Sequence, residues 1–203
     1  MAEIYAISDD VLMPENLALE YAREILECGV KFFQFRSKKA VKNEKLASEI
    51  LNLCEKFDAK FIVNDDVKFA KKIGAIAVHL GKEDDGIKEA FEILGKDAYV
   101  GVSCYNDISL AINAVKNGAS YVAFGSVFAS PTKPNATKCG LDVVREAKQI
   151  LNLPVCVIGG INETNIGSLS YANPDLIAII SAIYKDGTIK ENIKNLQKII
   201  KNF

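Results

Sequence analysis

Side chains suited to phosphate and hard cations recur in this chain, each group just past a short apolar run. KFFQF leads into Arg36 and Lys38, KFIV into Asn64 and Asp65, and IAVHL into Asp84. YVGV leads into Ser103, and YVAF into a connection that holds Ser130, Thr132 and Lys133. PVCVI runs into Gly159 and Gly160, and LIAII into Ser181. If the apolar runs are parallel strands alternating with helices, the residues past their C-terminal ends meet at one rim, however far apart in sequence. That rim would carry two carboxylates, three cationic side chains, several hydroxyls and a glycine pair. Such a set suits a polyanionic, metal-associated substrate.

Mg²⁺ accepts one or two protein carboxylates and takes its other ligands from water and substrate phosphate. Asp65 and Asp84, at the ends of adjacent strands, fit that pattern. The plainer alternative makes Asp65 a helix cap and Asp84 a turn residue. In the stretch from Gln34 to Lys38, alternation puts Gln34, Arg36 and Lys38 on one side, the lumen of a barrel. Without anionic partners they would be costly there, and Phe33 and Phe35 claim the other side. Ser130, Thr132 and Lys133 lie in a long connection from Gly125 to Gly140, a length that suits a loop covering substrate. The Gly159–Gly160 pair and Ser181 stand where many barrels bind phosphate through backbone N–H groups, or the pair is a simple turn. His79 is the single histidine and sits inside a strand, so it is expected to be a structural barrel residue. No Ser-His-Asp triad forms around it, and no cysteine has an evident activating partner.

The elements that must position these groups follow from periodicity. Strands are expected near Ile4–Ile7, Lys31–Phe35, Lys60–Val63, Ala75–Leu80, Tyr99–Val102, Tyr121–Phe124, Val155–Ile158 and Leu176–Ile180. Helical patterns separate them, at Pro14–Cys28, Asn43–Phe57, Asp66–Ile73, Gly86–Leu94, Asp107–Asn117, Leu141–Leu151, Asn162–Leu169 and Ile189–Ile200. Strand and helix alternating in this way predict an α/β fold, a single-domain (β/α)8 TIM barrel over residues 1–203. The alternative, an open doubly wound sheet, lacks the Gly-x-Gly-x-x-Gly turn expected after its first strand.

Composition narrows the partners. The 203 residues are 49% hydrophobic with a formal net charge of −1, so disorder and a global pull toward polyanions are both excluded. The lysine-rich C-terminal run carries Ile189, Ile193, Leu196, Ile199 and Ile200 at helical spacing, which makes it an amphipathic helix rather than a nucleic-acid patch. No apolar run approaches the ~20 residues that cross a bilayer. Five cysteines without a CxxC and an N-terminus without a signal-like apolar stretch suggest reduced thiols in a cytoplasmic protein.

Taken in order, FQFRSK, FIVNDDVKFA, IAVHLGKED, VGVSCYN, YVAFGSVFASPTK, PVCVIGGI and IISAI resemble the thiamine-phosphate synthase family, also called thiamine-phosphate pyrophosphorylase. The resemblance covers nearly the whole chain and implies a (β/α)8 barrel. It implies a transferase that joins hydroxymethylpyrimidine diphosphate to hydroxyethylthiazole phosphate, releasing pyrophosphate. By this resemblance Gln34, Arg36, Lys38, Asn64, Ser103 and Lys133 hold the pyrimidine diphosphate, with Phe35 and Ser37 in the same binding stretch. Arg36, Lys38, Lys133 and Ser103 are the expected catalytic set, and Asp65 and Asp84 the ligands of Mg²⁺. Ser130, Thr132, Gly160, Ile180 and Ser181 would take the thiazole phosphate. The partners implied are phosphorylated small molecules, with neither nucleic acid nor membrane, and a homo-oligomer is left open. Ser37 stands where the family usually has an acidic residue, Ser130 replaces a threonine, and Cys139 and the segment Ser170–Leu176 are atypical. Two rival readings share the barrel. A thiazole tautomerase would place a histidine near the end of the sixth strand, where this chain has Ser126, and a non-catalytic binder would have no use for a metal and pyrophosphate cage.

Overall fold

The computed structural model describes residues 2–81, 86–129, 139–185 and 187–203. Eight strands run β1 Glu3–Ile7, β2 Phe32–Phe35, β3 Lys60–Asn64, β4 Ala77–Leu80, β5 Tyr99–Tyr105, β6 Tyr121–Gly125, β7 Val155–Ile158 and β8 Leu176–Ile179. They close into a barrel in sequence order, every neighbouring pair parallel, with β8 returning to β1. The helices are α1 Ala18–Glu27, α2 Glu44–Lys56, α3 Val67–Ile73, α4 Ile87–Leu94, α5 Ile108–Lys116, α6 Leu141–Ile150, α7 Ser181–Tyr184 and α8 Ile189–Ile200.

Alternation along the strands divides the apolar side chains between two cores. Phe33, Phe35, Val63, Val78, Val100, Val122, Phe124 and Val157 point outward and pack against the helices. Tyr5, Ile7, Ile62, Ala77, Tyr121, Ala123, Cys156, Leu176 and Ala178 fill the lumen. One side of each strand therefore makes the fold's outer shell, and the other is available to build a site at the barrel mouth.

Element boundaries moved where side chains compete for backbone. The first helix was expected from Pro14 but begins at Ala18. Asp9 accepts from the backbone of Val11 and Leu12, and residues 14–17 then make an i→i+3 turn, with the Leu17 N–H on the Pro14 carbonyl, before the regular helix starts. β4 starts at Ala77, not Ala75, because Gly74 closes α3 in the left-handed region and the Ala75 N–H still bonds to Ala70. In place of a helix at Asn162–Leu169 there is a 3-10 helix at Ile166–Tyr171. The Asn162 side chain, which accepts from Thr164, opens that segment as a turn. The C-terminal helix forms as expected, with a capping box between Thr188 and Glu191.

None of the five thiols is in a disulfide, and all but Cys28 are buried. Burial pushes the thiols of Cys54 and Cys104 up to about 12 and that of Cys139 to about 11, from an ordinary value near 9. Above that ordinary value the unfolded chain releases protons that the folded chain keeps, so these groups make stability fall as pH rises. Below it they contribute no slope. The urea midpoint is expected to be lower at about pH 10.5 than at about pH 8. An unchanged or higher midpoint would show that the thiols ionise freely in the folded state.

Candidate active site

The ends of β1 and β2 are clamped together. Ser8 Oγ accepts from the Arg36 N–H at 2.8 Å and donates to the Arg36 carbonyl at 3.2 Å. The Ser8 N–H donates to the Gln34 carbonyl at 2.9 Å. Above this clamp Arg36 Nη1 lies 3.5 Å from Asp9 Oδ2, and the Lys38 N–H donates to Asp10 Oδ2 at 2.7 Å. Gln34 points into the lumen and is buried, whereas Arg36 and Ser37 are half-buried and Lys38 is exposed at the rim. Phe35 faces the other way, against Phe61 and Phe69. Its ring packs in the outer core beneath the small depression lined by Ser8, Asp9, Arg36 and Ser37.

At the end of β3, Asp65 takes a left-handed φ of 64°. Its N–H donates to the His79 carbonyl at 2.9 Å, and its carboxylate accepts from Asn64 Nδ2 at 2.6 Å. Aspartate tolerates this backbone better than most residues. The α3 cap is the neighbouring Asp66, which accepts from the Phe69 N–H at 2.8 Å, so Asp65 is not spent on capping.

Across the lumen, the buried Tyr121 ring lies between Tyr99 and His79, each stacked on it with ring centroids 5.5 Å away. Its room comes from Gly101 on the adjacent strand, where a Cβ would meet Tyr121 Cζ at 2.0 Å. His79 Nε2 lies 2.9 Å from Ser103 Oγ, and its Nδ1 lies 2.8 Å from Tyr121 Oη.

The loop after β7 carries Gly159 at φ 110° and Gly160 at φ 63°. A Cβ on Gly159 would strike Ser126 Oγ at 2.0 Å, and one on Gly160 would strike the Ala129 carbonyl at 2.2 Å. Only glycine lets this turn press against the start of the β6 loop, which it holds through bonds from the Val127 and Phe128 N–H groups to Ile158 and Gly159. Asn162 and Asn165 both donate to the Gly160 carbonyl, fixing the turn. Ile180 and Ser181 follow β8 and open the short α7 on the same rim.

The sequence matches the thiamine monophosphate synthase family over residues 4–183. It is 39% identical over 183 residues to a thiamine-phosphate synthase of Thioalkalivibrio sulfidiphilus, covering 89% of this chain and 87% of that one. A thiamine-phosphate synthase of Saccharophagus degradans is 38% identical over 202 residues, covering 98% and 93%. Among solved structures, thiamine phosphate pyrophosphorylase from Pyrococcus furiosus superposes with a TM-score of 0.88 at 34% identity, covering 98% of this chain and 96% of that one. The chain belongs to the thiamine monophosphate synthase family.

In this family member, Gln34, Arg36, Lys38, Asn64, Asp65, Ser103, Gly160, Ile180 and Ser181 all come from the C-terminal halves or ends of the barrel strands. Asp84, Ser130, Thr132 and Lys133 lie outside the described residues. Among the described residues, no group of three or more His, Cys, Asp and Glu stands ready to hold a metal ion. Ser126 donates to the Phe128 carbonyl at 2.6 Å and braces the loop. Sequence reasoning missed Tyr5 and Tyr121, whose hydroxyls meet at 2.8 Å deep in the lumen, and the acidic pair Asp9 and Asp10 behind Arg36 and Lys38. Extending the period-2 count from Gln34 around the barrel would have found the tyrosines.

Gly101→Ala is expected to destabilise the fold by about 1–3 kcal/mol, because the enclosed Tyr121 ring cannot move aside without strain. Urea unfolding measures it. A stability equal to that of the parent would mean that the ring is not held where it lies.

Proposed function

We propose that this protein is a thiamine-phosphate synthase, condensing hydroxymethylpyrimidine diphosphate with hydroxyethylthiazole phosphate to give thiamine phosphate and pyrophosphate. The observation that carries the reading is that the family match runs from residue 4 to residue 183, across the strands that hold the rim set. Relatives of that name, at 38–39% identity, make a transferase the expected class of enzyme.

The chemistry suits the residues. The bond from the pyrimidine methylene to the diphosphate oxygen breaks, its electron pair leaving with pyrophosphate, and the thiazole nitrogen supplies the pair for the new carbon–nitrogen bond. A displacement of this kind, dissociative in character, needs no strong base. It needs charge against the leaving group and two reactants held in line. Arg36 and Lys38, beside the β2 end, and Lys133 by resemblance, provide that charge. Ser103 and Gln34 reach the lumen beneath them, where the pyrimidine ring would sit. Gly160, Ile180 and Ser181, at the ends of β7 and β8, would take the thiazole phosphate, with Ser130 and Thr132 joining them by resemblance.

Asp65, a rim carboxylate not engaged as a cap, has the chemistry of a Mg²⁺ ligand, with Asp84 as its partner by resemblance. When bound, the ion would neutralise part of the diphosphate charge. Localisation in the cytoplasm fits such a small-molecule enzyme, and no helix among the described residues is long and apolar enough to cross a membrane.

Mixing the two substrates with the protein should yield thiamine phosphate in Mg²⁺, and EDTA should abolish it. Arg36→Ala is expected to lower kcat by ~100-fold, as for loss of a group stabilising transition-state charge. Full turnover in EDTA would remove Mg²⁺ from the reading, and absence of product in Mg²⁺ would remove the synthase itself.

Thr132→Val separates the two halves of the site. It is expected to weaken thiazole phosphate by roughly 1.5–3 kcal/mol, the cost of one hydrogen bond to a charged group, and to leave the pyrimidine substrate untouched. Steady-state KM values for each substrate measure this. Weakening of the pyrimidine substrate alone would exchange the two assignments.

A further inference from the structure

Five polar side chains from five strands form one unbroken hydrogen-bonded run across the lumen. Gln34 Nε2 donates to Tyr5 Oη at 2.8 Å, and Tyr5 Oη meets Tyr121 Oη at 2.8 Å. Tyr121 Oη meets His79 Nδ1 at 2.8 Å, and His79 Nε2 meets Ser103 Oγ at 2.9 Å. Tyr5 and Tyr121 are 1% and 0% exposed, so water is no alternative partner for their hydroxyls. Gln34 and Ser103, at the two ends, are assigned to the pyrimidine substrate. Tyr5, Tyr121 and His79, between them, have no assigned role.

Counting protons gives the run a direction. A hydroxyl has one proton, and a neutral imidazole donates from one nitrogen and accepts at the other. Burial pushes both phenols well above their ordinary range, so each keeps its proton and can donate it. Tyr5 accepts from the Gln34 amide, so its own proton goes to Tyr121. With the imidazole neutral, the Tyr121 proton then goes to His79 Nδ1, and the ring proton lies on Nε2, facing Ser103. Ser103 Oγ accepts there, which leaves the serine proton as the one that points out of the run. Reversing any middle link would set two donors or two lone pairs face to face in a buried place, where an unmade bond costs most.

We propose that Tyr5, Tyr121 and His79 are positioning residues that present Ser103 to the bound pyrimidine as a hydrogen-bond donor and hold Gln34 at the far side of the same ring. The acceptor they select is a ring nitrogen, which a pyrimidine offers and a carbocyclic ring does not. This rests on the synthase reading for the identity of the ligand, but the donor direction rests on the lumen geometry alone. His79 acts here by bridging, and a glutamine can bridge in the same sense, accepting from Tyr121 through its carbonyl and donating to Ser103 through its amide.

Two measurements test the proposal. His79 is the only histidine in the chain, so a ¹⁵N-labelled imidazole reports its tautomer without ambiguity. At neutral pH the proton is expected on Nε2. A proton on Nδ1 would overturn the donor direction whether or not the protein makes thiamine phosphate. The second measurement is KM for each substrate in His79→Gln, His79→Leu and Tyr121→Phe, with folding checked by melting. His79→Gln is expected within about threefold of the parent, whereas His79→Leu and Tyr121→Phe raise KM for the pyrimidine diphosphate by about tenfold or more. KM for the thiazole phosphate should stay within about twofold in all three. Equal and large loss of kcat in both histidine variants would overturn the proposal in favour of a proton-transfer role. Parent-like KM in His79→Leu and Tyr121→Phe would overturn it as well. If the parent itself makes no product, the synthase reading fails, and the tautomer measurement still decides the donor direction.

Discussion

The Tyr121 ring, laid across the lumen over Gly101, is the contact on which the site's interior depends. It stacks between Tyr99 and His79, meets Tyr5 through its hydroxyl, and closes the barrel floor beneath the groups assigned to substrate. A side chain on residue 101 would collide with it, since a Cβ there would meet the buried ring at 2.0 Å. With the ring in place, the polar lumen balances: among the described residues, no buried side-chain nitrogen or oxygen lacks a hydrogen-bond partner. The site is thus built upward from a floor of paired phenols. It is not hung from loops alone.

Sequence periodicity made the barrel legible because every strand has one face that must be apolar toward the helices. Phe33 and Phe35 flank Gln34, and that alone placed Gln34 in the lumen, where it is found. The same logic reads the rim, since a residue just past a parallel strand has one place to go. The helix starts were less legible. Pro14 opens an i→i+3 turn, with the Leu17 N–H on the Pro14 carbonyl, before the regular α1 begins at Ala18, and no periodic signal separates the two.

The site was legible by residue type and opaque by partnership. Asp65 and Asp66 are adjacent carboxylates, and sequence alone does not say which caps α3. The geometry assigns the cap to Asp66, and Asp65 turns through the left-handed region to the rim. Tyr5 and Tyr121 are 116 residues apart, so their bond is a consequence of barrel closure that no local window contains. Gly101 lies inside β5, and its meaning appears only once Tyr121 is set beside it in register. Residues whose role is to make room, or to hold another residue, carry little signal of their own type.

The acidic neighbours of the rim cations complete the argument about charge. With a net charge of −1 the protein does not attract a diphosphate as a whole, so attraction must be local. Yet Arg36 faces Asp9, and the Lys38 backbone is held by Asp10. These contacts do different things. The Asp10 bond is to backbone and shapes the β2 loop whatever the lysine side chain touches. The Asp9–Arg36 pair, at 3.5 Å and partly solvated, is worth about 1 kcal/mol or less. Arg36 is therefore held at the rim by a partner weak enough to give way to an anion, and the diphosphate proposed for this site would offer it a fork-matched, doubly charged acceptor. A stronger pair would compete with the substrate, and no pair would leave the long side chain to be ordered at the moment of binding.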